Sequence, residues 1–238
     1  MRWLVMTLLS MLFMNVSAEQ KFETRGVIQA TNKAELSAEI SSRVTQMPFR
    51  NGEVFTKGAL LVQFDCKIFQ SQYKKVAAEL KAARIKLEND RRLDKVRSIG
   101  RMEVALSEVS LEQKQAELQM AEFNRSRCKV LAPWNGRVVQ IMVNENEAVE
   151  LNQKLLSIVS IDKLEVELIA PALWLQWLKP GDPLTMLIDE TGKTVPGTVS
   201  VIGSVVDPTS QTISVRVDIE KNKQLLPGMS GTATFTIP

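Results

Sequence analysis

Histidine is absent from the 238 residues, and only two cysteines are present. Without histidine there is no Ser-His-Asp or Cys-His catalysis, no histidine-ligated zinc or copper, and no imidazole pH switch. Two cysteines are too few for a four-cysteine metal site. The sequence therefore predicts no catalytic, cofactor-binding or metal site.

Aromatic residues are also scarce, at 5% of the chain with a single tyrosine, which indicates thin cores rather than one thick globule. Lys and Arg number 30 against 27 Asp and Glu, a balance that does not indicate a nucleic-acid partner. No internal apolar run approaches the roughly 20 residues that span a bilayer.

The N-terminus has the pattern of a cleavable signal peptide. Arg2 precedes an apolar run from Leu4 to Met14, and residues 16–18 (Val-Ser-Ala) form a small-residue cleavage site. The run is shorter than a membrane span and fits the signal-peptide core of about 7–15 residues. We expect residues 1–18 to be removed on export to an oxidising compartment. The alternative is an uncleaved N-terminal anchor.

Two segments of the chain, 43–64 and 137–158, repeat one another, with identities and matching apolar positions. The positions that indicate turns hold glycine in the first copy and asparagine in the second: Gly52 and Gly58, then Asn146 and Asn152. Glycine and asparagine accept positive φ most easily, so both copies predict left-handed turns at the same two places. Together the copies predict a small flattened barrel or sandwich with quasi-twofold symmetry.

The insert between the copies, from Cys66 to Cys128, lacks proline and holds one glycine, Gly100. Apolar residues recur at alternating spacings of three and four on both sides of Gly100, which indicates two helices with coiled-coil seams. The predicted first seam is Phe69, Tyr73, Val76, Leu80, Ala83 and Leu87, and the second is Leu106, Val109, Gln113, Ala116, Met120 and Phe123.

Charge supports an antiparallel arrangement of these helices. Residues 67–101 hold 11 Lys and Arg against 4 Asp and Glu, whereas residues 102–128 hold 3 against 5. A basic arm that folds back on an acidic arm gains attraction. We predict a projecting hairpin of roughly 40–48 Å; the alternative is a helical pair packed against its own domain.

Cys66 and Cys128 stand at the two ends of the insert, where an antiparallel hairpin brings its ends together. Because the exported chain meets oxidising conditions, we predict a disulfide between them. The alternative is two small buried apolar residues.

The remaining residues, 162–238, predict a second all-β unit. Residues 164–168, 213–219 and 233–237 alternate apolar and polar side chains, as half-buried strands do. Residues 173–178 predict a short helix whose two tryptophans, Trp174 and Trp177, fill the mouth of a barrel. The alternative role for these tryptophans is stacking on a ligand.

Four motifs in this order resemble a known family. They are N-G-E-V-F-T-K-G-A-L-L-V-Q-F-D at 51–65, R-C-K-V-L-A-P-W-N-G-R-V at 127–138, V-D-P-T-S-Q-T-I-S-V-R at 206–216 and L-L-P-G-M at 225–229. The sequence resembles the periplasmic adaptor subunits, or membrane fusion proteins, of resistance–nodulation–division (RND) efflux pumps, which carry a split biotinyl-lipoyl domain.

The resemblance implies a mainly β chain with a long α-helical coiled-coil hairpin, a split lipoyl domain and a β-barrel domain. The expected parts are a signal peptide at 1–18, an N-terminal strand at 19–33, a lipoyl domain at 34–65 and 129–161, a hairpin at 66–128, and a barrel at 162–238. Family members usually continue past the barrel into a membrane-proximal domain. We expect a short form that lacks it, since the sequence stops at Pro238.

The resemblance also implies a function without enzymatic activity or a cofactor. Such proteins lie in the periplasm, form six-membered rings, and join an inner-membrane RND-type transporter to a TolC-type outer-membrane channel through the hairpin tip. The expected tip residues are Arg92, Val96, Gly100 and Glu103, of which only Arg92 fits the family's tip pattern. A solvated Arg92 is the alternative for that residue. A non-transport envelope scaffold and a type I secretion adaptor are the alternative functions.

Overall fold

The computed structural model describes residues 21–220 and 224–236, so the predicted signal peptide lies outside the described residues. The chain forms two compact units. Within the described residues, one unit combines residues 21–29 with residues 164–220 and 224–236, and the other runs from Ala30 to Lys163.

The described elements are β-strands and one 3₁₀ helix, interrupted once by a pair of long α-helices. In chain order they are β1 (Lys21–Ala30), β2 (Lys33–Ser37), β3 (Ser42–Gln46), β4 (Val54–Phe55), β5 (Leu60–Phe64), α1 (Lys67–Lys95), α2 (Arg101–Ser126), β6 (Lys129–Leu131), β7 (Gly136–Ile141), β8 (Ala148–Val149), β9 (Lys154–Ser160), β10 (Leu164–Pro171), a 3₁₀ helix (Ala172–Gln176), β11 (Pro183–Ile188), β12 (Thr194–Asp207), β13 (Thr212–Ile219) and β14 (Ser230–Thr236).

The unit from Ala30 to Lys163 is a sandwich of two four-stranded sheets that carries the helix pair, α1 and α2. The strand orders are β2-β9-β7-β4 and β6-β5-β3-β8. Each sheet contains strands from both copies of the internal repeat: β4 of the first copy lies beside β7 of the second, and β8 of the second beside β3 of the first. The two copies therefore interdigitate, and neither copy builds a sheet alone.

The four turn residues have the backbone conformation that the repeat predicts. Their φ angles are 85° at Gly52, 81° at Gly58, 69° at Asn146 and 64° at Asn152. All four lie in the left-handed region, which glycine enters without strain and asparagine enters more easily than most residues.

Backbone hydrogen bonds repeat the symmetry of these turns. The Gly52 amide donates to the Val138 carbonyl at 2.8 Å, and the Asn146 amide donates to the Val44 carbonyl at the same distance. The second turns form the matching pair: Gly58 to Ala132 and Asn152 to Ala38, both at 2.8 Å. Each copy thus satisfies backbone groups of the other, and the hydrogen bonds between the copies follow the same quasi-twofold symmetry as the turns.

The core of the sandwich is made of residues that occupy equivalent positions in the two copies. These side chains are almost fully buried and come in three pairs: Val44 with Val138, Leu61 with Leu155, and Phe64 with Ile158. The alternation of apolar residues in the repeat therefore points into one shared core.

The other unit is a closed six-stranded barrel with the strand order β1-β10-β13-β12-β11-β14. The N-terminal strand β1 completes it by pairing antiparallel with the C-terminal strand β14, from Lys21 opposite Thr236 to Val27 opposite Ser230. Closure leaves no unpaired strand edge. The strand that the sequence predicts near the N-terminus is therefore part of the barrel wall.

The predicted short helix before Pro180 is present as the 3₁₀ helix Ala172–Gln176. Trp174 is buried in the barrel core, with its ring 5.5 Å from that of Phe235 and 5.7 Å from that of Phe22. Trp177 packs against the same rings. The tryptophans are therefore core residues of the barrel, as the sequence indicates.

The repeat provides a matched test of the left-handed turns. We expect Gly52→Val to lower the free energy of unfolding by roughly 1–2 kcal/mol, because a β-branched residue is strained at positive φ. No atom lies within 4 Å of a Cβ placed at Gly52, so the cost is conformational and not steric. Gly52→Asn, which installs the residue of the other copy, should cost much less. Equal losses in urea titrations of the two variants would contradict this account.

Candidate interaction sites on the helix pair

The helices α1 and α2 run antiparallel, as cross-helix contacts at successive heights show. Lys86 of α1 contacts Ser107 of α2 at 2.7 Å, and further down Glu79 contacts Lys114 at 3.0 Å. At the base, a disulfide joins the residues on either side of the pair. These contacts define which residues of the two helices lie at the same height.

The predicted seam of α1 faces α2. Val76 and Leu87 are buried, and the other four residues are partly buried: Phe69, Tyr73, Leu80 and Ala83. Near the disulfide, the guanidinium of Arg125 on α2 lies 3.9 Å from the centroid of the Tyr73 ring on α1. The seam of α1 is therefore confirmed.

The predicted seam of α2 is wrong. Its large apolar residues are exposed, by 57% at Leu106, 61% at Val109, 67% at Met120 and 56% at Phe123. The face of α2 that is buried or partly buried at spacings of three and four lies about 200° away around the helix, and its positions are Val104, Ser107, Leu111, Lys114, Leu118, Ala121 and Arg125. The inward face includes serine, lysine and arginine, so apolar content alone selects the opposite face.

The disulfide predicted between Cys66 and Cys128 is present at the base of the helix pair, with Cα atoms 5.9 Å apart. The adjoining strands hold the two cysteines in place, because β5 pairs antiparallel with β6 and the Phe64 amide donates to the Cys128 carbonyl at 3.0 Å. Cys128 is buried in the sandwich core. The cross-link therefore ties the start of α1 to the end of α2.

The turn between the helices is built around Arg97 and not around Gly100. Arg97 has a φ of 55°, and the Ser98 amide donates to the Leu93 carbonyl at 2.9 Å, which ends α1. Gly100 has a φ of −82° and is the N-cap of α2. A left-handed arginine at a helix C-terminus is uncommon, since glycine or asparagine usually occupies that place.

The four predicted tip residues lie at this end of the helix pair. Arg92 pairs with Glu88 on its own helix at 3.2 Å, and Glu103 pairs with Lys86 across the helices at 3.1 Å. Val96 is 69% exposed directly after α1. Their contact with a partner stays a prediction.

A buried polar cluster lies between the helices near the turn, and the sequence analysis missed it. Asp90 and Ser107 are 7% and 2% exposed. The Lys86 ammonium donates to the Asp90 carboxylate and the Ser107 hydroxyl, both at 2.7 Å, and the Ser107 hydroxyl donates to the Asp90 carboxylate. The signal was available, because Asp90 continues the spacing of the α1 seam beyond Leu87 and Lys86 precedes it by four residues.

These bonds shift the proton affinities of the cluster. The hydrogen bond from Lys86, followed by that from Ser107, holds the pKa of Asp90 below its usual range. The hydrogen bond to Asp90, followed by that to Glu103, raises the pKa of Lys86. A polar group at a seam position is satisfied only when the helices meet in one register, so the cluster specifies the alignment of α1 with α2.

Within residues 21–220 and 224–236, no helix has the length and apolar character needed to cross a membrane. In the same described ranges, no group of three or more cysteine, aspartate or glutamate side chains is arranged to hold a metal ion.

Residues 32–171, which span the sandwich, the helix pair and the start of the barrel unit, match the family described as RND MFP, barrel-sandwich hybrid domain. The chain belongs to the RND membrane fusion protein family. Residues 166–238 match a second description, the CusB-like, beta-barrel domain.

Curated relatives of this membrane fusion protein include the nodulation protein NolF of Rhizobium meliloti, 26% identical over 85% of this chain and 59% of the relative. The solvent efflux pump periplasmic linker SrpA of Pseudomonas putida is 24% identical over 86% of this chain and 58% of its own length. The chain thus spans less than three fifths of the length of these relatives.

Solved structures share the fold. A MacA–MexA chimeric protein that contains the MexA alpha-hairpin domain of Pseudomonas aeruginosa has a TM-score of 0.81 at 18% identity, over 92% of this chain and 82% of that one. A putative efflux transporter from Bacteroides eggerthii has a TM-score of 0.75 at 19% identity, over 90% of this chain and 68% of that one.

The disulfide between Cys66 and Cys128 predicts that the exported protein has no free thiol and that removing the bond lowers its stability. It closes a loop with a sequence separation of 62, which corresponds to a stabilisation of ~4 kcal/mol on the chain-entropy account. The exported, non-reduced protein, unfolded in denaturant, should expose no alkylatable thiol. The Cys66→Ser/Cys128→Ser variant should be less stable, and reduction should bring the native protein to the same stability. Two free thiols in the exported protein would contradict the bond.

The polar cluster predicts a pH-dependent contribution to the stability of the helix pair. The folded-state pKa of Asp90 lies below its usual value of 3.8, so the ionised carboxylate contributes its full stabilisation at pH values above 3.8. That stabilisation is lost as the pH falls through the folded-state pKa. We expect Asp90→Asn to weaken hydrogen-exchange protection of α1 and α2 at pH 7, and the difference from the native protein to shrink at acid pH.

The matched control is Glu88→Gln, which removes an exposed pair on the same helix, with side chains 67% and 68% exposed. Such pairs contribute little to stability, so this variant should leave protection nearly unchanged. Equal effects of the two substitutions, or a difference that grows at acid pH, would contradict the role of Asp90.

Proposed function

We propose that this membrane fusion protein is a periplasmic adaptor that links an inner-membrane RND-type transporter to a TolC-type outer-membrane channel in a tripartite efflux system. The observation that carries the proposal is the continuous family match over residues 32–171, where a sandwich is interrupted by a helix pair. Relatives named as efflux pump periplasmic linkers support the same role.

The helix pair fits the part of a projecting coiled-coil hairpin. α1 has 29 residues, which corresponds to a length of roughly 43 Å at 1.5 Å per residue. The alternating spacing of three and four in both inward faces is that of a coiled coil. A small angular motion of the helices at their base would cause the largest displacement at the turn, because the turn is farthest from the base. The disulfide restrains the two helix ends against that motion.

The turn between the helices is the surface that would meet the channel. Arg92, Arg97 and Arg101 lie at or near this turn, and all three are exposed. Guanidinium groups bind carboxylates and helix-terminal carbonyls through two parallel hydrogen bonds, which suits contact with the helical end of a partner.

The adaptor acts as a homo-oligomeric ring, six-membered by resemblance to its family. The barrel would lie on the transporter side, and the signal peptide at residues 1–18 would direct the chain to the periplasm. No catalytic step is part of this function, since the ring would join the two membrane partners and enclose the path of the exported molecule.

A photo-crosslinking amino acid placed singly at residues 97–102 tests the contact with the channel. In cells that contain the transporter and the channel, we expect probes near the turn to capture the channel protein, because the tip is the surface proposed to meet it. The same probe at Leu111, which faces α1, should not capture it. Failure at every tip position in a folded, assembled protein would contradict docking to a channel.

Transport is tested separately by deletion of the gene. Loss of the protein should raise the sensitivity of the cell to at least one small molecule that its transporter exports, and the intact gene should restore resistance. An intact envelope with unchanged sensitivity to the transporter's substrates would exclude the efflux role and favour an envelope scaffold.

A further inference from the structure

The helix pair joins the sandwich at two neighbouring points, Cys66 before α1 and Cys128 after α2. Their Cα atoms lie 5.9 Å apart, and the disulfide spans them. The disulfide opposes separation of the two helix ends, but rotation of the whole helix pair about the line through the cysteines leaves their distance unchanged. A contact away from that line is therefore needed to hold the helix pair at one angle to the sandwich.

An ion pair supplies such a contact at the end of α2. Arg127, the C-cap of α2, has its Nε 3.2 Å from a carboxylate oxygen of Glu39. Glu39 lies in the connection between β2 and β3, and these two strands belong to different sheets. The connection therefore leaves the sheet of β5 and β6, in which the line between the cysteines lies. The pair adds a third point of attachment away from that line.

Arg127 is held for this contact by an aromatic ring of its own helix. Its guanidinium carbon lies 4.2 Å from the centroid of the Phe123 ring, one turn earlier. A guanidinium stacked on an aromatic face loses much of its freedom to rotate. The Nε of Arg127 is buried and makes no well-aligned hydrogen bond in the described part of the chain, so the Glu39 carboxylate is its ion-pair partner. Without that carboxylate, a buried donor would lose its anionic neighbour.

The neighbouring arginine of the same helix end has a different task. Arg125 lies over the Tyr73 ring of α1 at 3.9 Å and pairs with Glu122 of its own helix at 3.5 Å. These contacts join α2 to α1. The last turn of α2 thus carries one arginine that closes the helix pair and, two residues later, one that ties it to the sandwich.

Apolar packing at the base does not replace the ion pair. Phe69, in the first turn of α1, packs against the core of the sandwich. Such packing is non-directional, so it opposes separation of the helices from the sandwich more than a change of angle. The energy of an ion pair depends on the distance between two particular groups, and that distance changes with the angle.

We propose that Arg127 is a positioning residue, which holds the helix pair at one angle to the sandwich through its pair with Glu39 and so sets where the turn lies. α1 has 29 residues, so the turn lies roughly 43 Å from the base, and a rotation of about 10° there displaces the turn by roughly 7 Å. The inference rests on the proposed function, because the place of the turn matters when the turn docks on a partner.

Distances between two spin labels test the inference in the exported protein. The labels are attached through a genetically encoded ketone amino acid, which leaves the disulfide intact. One label is placed at residue 98 in the turn and the other at Lys57 or Val139 of the sandwich, which are both exposed and lie outside the connection that holds Glu39. In the native protein we expect one narrow distance distribution for each pair of labels.

A charge exchange provides the decisive comparison. Glu39→Arg or Arg127→Glu alone should raise the fraction of molecules outside the main distance about threefold or more, as expected for the loss of a partly exposed ion pair. The double variant Glu39→Arg/Arg127→Glu should lower that fraction again. The matched control is Glu35→Gln, which removes an exposed pair with Lys154 inside the sandwich and should leave both distributions unchanged. The Glu39 side chain is 67% exposed, so Glu39→Arg should keep the native midpoint in urea.

The outcomes separate this inference from the proposed function. Broadening in the single variants that the exchange reverses supports the positioning role. Distributions that stay narrow in both single variants, that broaden equally in Glu35→Gln, or that the exchange does not narrow overturn it. If the distances respond as expected while probes at residues 97–102 of the native protein capture no channel, docking to a channel is overturned and the positioning role of Arg127 stands.

Discussion

The structure depends on one constraint: the excursion from Cys66 to Cys128, which stand 62 positions apart in the sequence, must begin and end at adjacent points of the same sheet. β5 and β6 are paired neighbours, so the chain leaves the sandwich and returns to it within the width of one strand pair. Two helices of similar length are then antiparallel by necessity. The disulfide covalently secures a proximity that the β5–β6 pairing already imposes, and the register of the helices follows from this fixed base.

The buried polar cluster shows how that register is refined far from the base. A helix pair fixed only at one end can slide or rotate near its turn, and uniform apolar seams would tolerate several alignments. Asp90, Ser107 and Lys86 satisfy one another in only one of these alignments. Stability from apolar packing is thereby exchanged for a defined orientation of the turn, which is the surface that would meet a partner.

Much of this organisation is predictable from the sequence, and the largest exception, the seam of α2, has a physical cause. The repeat predicted the two shared turns because positive φ favours glycine and asparagine over most other residues. The cysteines predicted their disulfide because an antiparallel helix pair brings the two ends of the insert together. The seam of α1 was predicted because its apolar residues face α2. The seam of α2 was not, because the more apolar stripe of that helix faces away from α1, and a period of 3.5 residues marks an apolar face without recording what that face contacts.

The charged residues of the two helices fall into two groups: some pair across the helices, and others lie on the outward faces. The excess of lysine and arginine on α1 and of glutamate on α2 predicted attraction within one chain, and cross-helix pairs do form between Arg91 and Glu108 and between Lys114 and Glu79. Yet Lys74, Lys81 and Glu112 lie on outward faces, where they cannot meet in one chain. Attraction within the pair uses only the charges nearest the seam. The remaining charges lie toward the outward faces, so the helix pair has a more positive side on α1 and a more negative side on α2, and the attraction that the composition of the two arms predicts is used only in part within one chain.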